Sequence, residues 1–347
     1  MKWLPNQESE KGFGRTILAN INFSQSTSQL IKLMICLIGT GMFLSGDVSK
    51  LKTKIVGSTT SQELVKEISH HAANISVKIS SGDFLGSGFI VLQESQKYTV
   101  ITNQHVLRAG EAPYSIETAD GKTYSAKVVT NSTSKQDYDL AVLEFNSHNT
   151  YPTAKIGSSL SLEVGEPIYA AGFPRSELER ISSPFISKQP QNNEPNGFVL
   201  KSGRVAMILN QALEQGYQIG YTNNVQRGMS GGPLLNSQGE VVGINGQHAY
   251  PLWDSPEIYQ DGSQPCPALQ KLITRSSLAI PIEKSIGLTP HLESLEPLPN
   301  SKIARKSTSL ENSRLVTKMQ AEAKVTNQSC KKSTDDLQEQ TTGDPKN

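Results

Sequence analysis

From about Ile75 to Ile282 the chain is a succession of short runs rich in Val, Ile, Tyr and Thr, each closed by Gly, Pro, Asn or Asp. Tyr98-Thr99-Val100-Ile101-Thr102, Leu140-Ala141-Val142-Leu143 and Tyr217-Gln218-Ile219-Gly220-Tyr221 are examples. β-Branched and aromatic side chains suit a pleated surface, and runs this short do not suit helices. The pattern predicts an all-β barrel or sandwich over that stretch. A short helix is predicted before it. Thr60-Ser61-Gln62-Glu63 has capping-box spacing, and Leu64, Val65, Ile68 and Ala72 follow at helical intervals.

The flanks differ from this middle. Residues 1–28 are a polar N-terminal extension. Residues 29–47 contain the apolar run Leu33–Leu44 after Lys32, followed by the small residues Ser45 and Gly46. That run has the length of a signal-peptide core and is short for a membrane span. It predicts an exported chain, periplasmic or extracellular, with the segment either removed or kept as a short membrane anchor. A buried core segment is the competing reading. Residues 60–288 form the predicted globular domain, interrupted by a polar surface loop at Ser187–Asn196. Residues 289–347 are rich in Ser, Thr, Lys, Gln and Glu, which predicts a disordered polar tail.

Charge and cysteine content narrow the partners. The formal net charge is +1 and the basic residues are scattered, so nucleic-acid binding is not expected. No Cys or His spacing suggests a metal site, and no cofactor is expected. Cys266 and Cys330 could pair in an exported protein. Cys330 lies in the polar tail, which argues against a required bridge.

Three segments carry candidate chemistry, in the order His, Asp, Ser. They are Thr102-Asn103-Gln104-His105-Val106, Asp137-Tyr138-Asp139-Leu140-Ala141 and Gly228-Met229-Ser230-Gly231-Gly232-Pro233. A serine hydroxyl attacks a carbonyl only when a base takes its proton, and the resulting oxyanion needs backbone N–H groups already aimed at it. Glycines around Ser230 allow the tight turn that exposes such donors, with the N–H groups of Gly228 and Ser230 as the natural pair. His105 is the candidate base and Asp139 its orienting acid. Asp137 lies two positions away on the same side of a strand, so spacing leaves the two carboxylates undivided.

These segments resemble the chymotrypsin-like, or trypsin-like, serine peptidases, over roughly residues 75–285. Thr-Asn-x-His-Val is similar to the bacterial heat-shock proteases and to bacterial trypsin-type and glutamyl-type peptidases. Ala171-Gly172-Phe173-Pro174 resembles the family's Gly-x-Pro turn. The resemblance implies two six-stranded antiparallel β-barrels with the active site in the cleft between them, and a polypeptide substrate cut through an acyl-enzyme. It selects Asp139, because the family's acid immediately precedes the Leu-Ala strand. It places Asn224 at the base of the primary pocket and Asn245, Gly246 and His248 along the strand that pairs with substrate. His248 is the candidate reader of acidic side chains. The alternative is a catalytically silent fold that holds peptides without cutting them.

Two features depart from the family. Lys54-Ile55-Val56-Gly57 looks like a trypsinogen activation site, yet Met229 stands where the inserted N-terminus would need an acid. The residues after Leu288 are polar and lack strand periodicity, so no peptide-binding PDZ domain is expected there.

Overall fold

The computed structural model describes residues 48–129, 138–175, 197–250, 257–288 and 317–321. The expectations for residues 1–28, 33–44, Asp137, Ser187–Asn196 and most of the tail lie outside the described residues. The chain divides into two compact units, Met1–Ser58 and Thr59–Asn347. Among the described residues, the β structure lies in the second unit.

That unit contains two closed barrels of six antiparallel strands each, as the resemblance implies. In the first barrel β1 (Ser76–Ser81), β2 (Asp83–Glu94), β3 (Lys97–Thr102), β4 (Tyr114–Glu117), β5 (Thr123–Val128) and β6 (Ala141–Asn146) run in the order β1-β2-β3-β6-β5-β4. In the second, β7 (Pro167–Gly172), β8 (Val199–Ile208), β9 (Ile219–Tyr221), β10 (Pro233–Leu235), β11 (Val241–Gln247) and β12 (Ser277–Pro281) run in the order β10-β11-β12-β9-β8-β7. β1 pairs with β4 and β10 with β7, so neither sheet keeps an open edge.

Alternation along the strands explains why two barrels pack as one body. On β6, Ala141, Leu143 and Phe145 fill the first barrel, while Val142 and the preceding Leu140 face a separate apolar cluster. On β7, Ile168 and Ala170 fill the second barrel, while Tyr169 and Ala171 face that same cluster. Successive side chains point to opposite faces of a strand. With apolar groups on both faces, the wall of each barrel reads as an unbroken apolar run such as Leu140–Leu143.

The N-terminal helix is longer than the capping box predicts. α1 (Val48–Ile75) runs through Thr60–Glu63 and also through the Lys54–Gly57 string. Its last turns bury Ile68, Ala72, Ala73 and Ile75 in the cluster shared by the barrels. Two shorter helices, α2 (Gln104–Arg108) and α3 (Pro267–Thr274), complete the named elements.

His71, on α1, has its Nε2 buried without a hydrogen-bond partner. Burial, with Lys155 and His70 nearby, holds its ring below the ordinary histidine value. The unfolded chain therefore takes up a proton near pH 6.5 that the folded chain resists. Stability at this position is complete above that pH and falls as the pH drops below it. Substituting His71→Leu is expected to shrink the loss of melting temperature between pH 7.5 and pH 5. An equal loss in both proteins would show that His71 does not titrate this way.

Candidate active site

His105 and Asp139 are brought together by strand register. β3 pairs with β6 so that Thr102 faces Ala141. His105 lies just past the end of one strand and Asp139 just before the start of the other. Asn103, at the start of α2, donates through Nδ2 to the Asp139 carbonyl at 2.8 Å and ties the two segments together. The Asp139 side chain is 1% exposed. A buried carboxylate is tolerated only when donors surround it. Its Oδ1 accepts the His105 backbone N–H at 2.8 Å, and its Oδ2 faces His105 Nδ1 at 2.5 Å. The imidazole itself is 43% exposed, so its other edge is open toward solvent.

Ser230 belongs to the second barrel, on the turn that leads into β10. Gly228 and Gly231 adopt φ of +93° and +84°, in the left-handed region that favours glycine. First-barrel residues hold this turn. The Ser87 N–H donates to the Ser230 carbonyl at 2.9 Å, and the Ser87 hydroxyl donates to the Gly228 carbonyl at 2.6 Å. Ser87 Oγ also accepts the Phe173 N–H at 2.9 Å. A Cβ on Gly231 would stand 2.2 Å from the Ser87 carbonyl oxygen and 3.1 Å from the Asn103 nitrogen. The serine turn is thus pressed against the segment that carries His105. Among the described residues, the N–H groups of Gly228 and Ser230 make no hydrogen bond.

The Ser230 hydroxyl does not point where the sequence predicts. It donates to the Gly246 carbonyl at 3.0 Å rather than to the imidazole. Gly246 lies near the end of β11, where the pairing with β12 shifts register between Asn245 and Gln247. The carbonyl there is presented to the hydroxyl.

The four residues assigned to substrate contact are placed differently from one another. Asn245 is fully buried; it accepts from the Tyr221 hydroxyl at 2.9 Å and donates to the carbonyls of Ala171 and Pro233. Its own backbone N–H and carbonyl pair with Gly232 and Gly231. Asn245 therefore braces the serine turn from inside the barrel, a correction to its expected place beside substrate. Gly246 borders Ser230 through its carbonyl. Asn224 is exposed, while its neighbour Asn223 is buried and donates to the carbonyls of Ile168 and Lys201. His248 is half-buried, with Nδ1 3.0 Å from the Ala249 carbonyl. Met229 is fully buried in the apolar core of the second barrel, where no charged N-terminus could be paired.

Sequence reasoning passed over Ser87 and Tyr217. Ser87 had a signal: Gly86-Ser87-Gly88 sits in mid-strand, and glycines inside a strand mark a close backbone approach. Tyr217, which donates to Asp139 Oδ2 at 2.5 Å, had none beyond being a tyrosine in an apolar run.

Residues 86–244 match the family described as the trypsin-like peptidase domain. The chain carries a trypsin-like peptidase domain. The span includes His105, Asp139 and Ser230. This chain is 30% identical over 205 residues to the Serine protease Do-like HtrA of Bacillus subtilis (strain 168), covering 58% of this chain and 42% of that protein. It is 32% identical over 160 residues to the Serine protease Do-like HtrA of Lactobacillus helveticus, covering 46% and 35%. It is 30% identical over 163 residues to the Serine protease HTRA1 of Xenopus laevis, covering 46% and 30%. The matches thus span less than half the length of these curated relatives.

Proposed function

We propose that this domain is a serine endopeptidase in which Ser230 is the nucleophile, His105 the general base and Asp139 the residue that orients His105. The observation that carries the reading is the buried Asp139 carboxylate set on His105 Nδ1, beside a glycine turn whose Gly228 and Ser230 N–H groups are unused. In the first step the Ser230 hydroxyl leaves the Gly246 carbonyl and turns to the imidazole. His105 Nε2 takes its proton as Oγ bonds to the substrate carbonyl carbon. The two free N–H groups receive the oxyanion. His105 then gives the proton to the departing amine, and water repeats the sequence to release the acyl group. The end of β11 past Gly246 is where substrate backbone would add as a strand. Asn224 and His248 are the candidates for contact with substrate side chains. None of these steps calls for a metal or an organic cofactor.

We also read the protein as exported. Cys266 is disulfide-bonded, its partner lying outside the described residues. Such bonds persist in oxidising compartments. Among the described residues no helix is long and apolar enough to cross a membrane.

A fluorophosphonate probe tests the peptidase reading, because it reacts with a serine that is activated and has an oxyanion site beside it. Stoichiometric labelling mapped to the Ser230 peptide is expected. The competing reading, a fold that holds peptides without cutting them, draws on the Ser230–Gly246 hydrogen bond, which keeps the hydroxyl off its base. Absence of labelling in folded protein would favour that reading and overturn ours.

A further inference from the structure

The carboxylate that faces His105 has a second and deeper partner. The Tyr217 hydroxyl donates to Asp139 Oδ2 at 2.5 Å, the same oxygen that faces the imidazole. Tyr217 is 1% exposed. The segment that carries it is tied at two points. The Leu213 N–H donates to the Tyr217 carbonyl at 2.8 Å, and the Asp139 N–H donates to the Gln215 carbonyl at 2.9 Å. The ring lies so close under Gly246 that a Cβ there would stand 2.3 Å from the phenol oxygen. Gly246 is the residue whose carbonyl holds the Ser230 hydroxyl. One buried phenol therefore touches the acid and packs beneath the neighbour of the nucleophile.

We propose that Tyr217 is a positioning residue which, by donating to Asp139 Oδ2, fixes the carboxylate on His105 and moderates its pull on the protonated imidazole. The inference deepens the peptidase reading and rests on it. A carboxylate in a low-dielectric interior attracts an imidazolium strongly, and each further donor to the carboxylate takes up part of that charge. Tyr217 sets how much remains for His105, and so the pH at which His105 becomes a free base. The phenol is a constant donor. Burial and the adjacent Asp139 push its titration well above the ordinary tyrosine value. Among the described residues, the titratable groups facing it are Asp139, Tyr221 and Glu257. The carboxylate faces His105 in addition. Glu257 is itself shifted upward by burial and by Glu214.

The Tyr217→Phe variant keeps the ring against Gly246 and removes only the hydroxyl. Its kcat is expected to fall about tenfold with KM changed by less than about twofold, since the contact serves the reacting groups and not substrate binding. The acid limb of its kcat/KM profile is expected to move up by about half a pH unit or more. The His105 ring titration, followed by NMR on resting protein, should move up by the same amount. Tyr221→Phe is the control. It removes another fully buried hydroxyl, whose partner is Asn245 Oδ1 at 2.9 Å and not Asp139, and should leave the His105 midpoint in place. A His105 midpoint unmoved in folded Tyr217→Phe, or moved equally in Tyr221→Phe, overturns the inference. The titration needs no turnover. A wild-type protein that fails to react with the probe would overturn the peptidase reading, while the titration would still decide the role of Tyr217.

Discussion

Replacing Asp139 with asparagine is expected to slow acylation about ten-thousandfold while leaving the domain folded. The geometry says why the loss is large. Oδ1 accepts a backbone N–H from His105, and Oδ2 accepts from the Tyr217 hydroxyl and faces His105 Nδ1. An asparagine must choose which position its NH2 takes. Set against the backbone N–H, it would create a donor–donor clash that a peptide group cannot relieve. Set against Tyr217 and His105, it meets a hydroxyl that can reverse its proton and a ring that can change tautomer. The second orientation therefore wins. It leaves Nδ1 bare as the acceptor and puts the ring proton on Nε2, the nitrogen that must be empty to receive the proton of Ser230. The rate of fluorophosphonate labelling measures the effect, with near-UV circular dichroism reporting the fold. A loss below about tenfold would mean that Asp139 does not set the tautomer.

The second large effect is expected at Gly231. An alanine Cβ there would stand 2.2 Å from the Ser87 carbonyl oxygen and 2.3 Å from Thr102 Oγ1, at a φ of +84°. Backbone conformation and space both oppose it, and the obstacles belong to two neighbouring first-barrel strands rather than to a flexible chain end. The two contributions separate by comparison with Gly262, which has a φ of +83° and nothing within 4 Å of its Cβ position. Gly262→Ala is expected to lose about 1 kcal/mol, the conformational part alone. Gly231→Ala is expected to lose about 3 kcal/mol or more, and to lose probe labelling because the serine turn lifts off the first barrel. Denaturant midpoints of the two variants give the comparison. Equal losses would show that the turn has room the geometry denies it.

The parts of this molecule legible in the sequence are those fixed by local rules. Alternation and turn residues announced strands from Tyr98–Thr102 through Leu140–Leu143, and the glycines around Ser230 announced a turn of unusual backbone. Asp139 stood apart from Asp137 only through family resemblance, and the structure places it on His105 by the pairing of β3 with β6. The parts that stayed hidden depend on what meets across the fold. Asn245 reads as a polar residue on an exposed strand, yet three buried partners from other strands turn it inward. Tyr217 reads as part of an apolar run, and only the approach of Asp139 gives its hydroxyl a use. The start of α1, at Val48, was not legible either. Its end is set by the cluster between the barrels and its start is not marked by Thr60–Glu63.

The clamp that Ser87 places on the serine turn has a consequence for the order in which this domain matures. The turn is encoded in the second half of the chain, but two of the hydrogen bonds that hold it, at Gly228 and Ser230, come from β2, in the first half. A second barrel folding alone would have every residue of the turn and the Asn245 brace, but not the first-barrel side of its mould. The reacting centre is in this sense the seam of the domain. It takes form only when both halves have closed and docked, so a partly folded chain would be expected to lack an ordered turn.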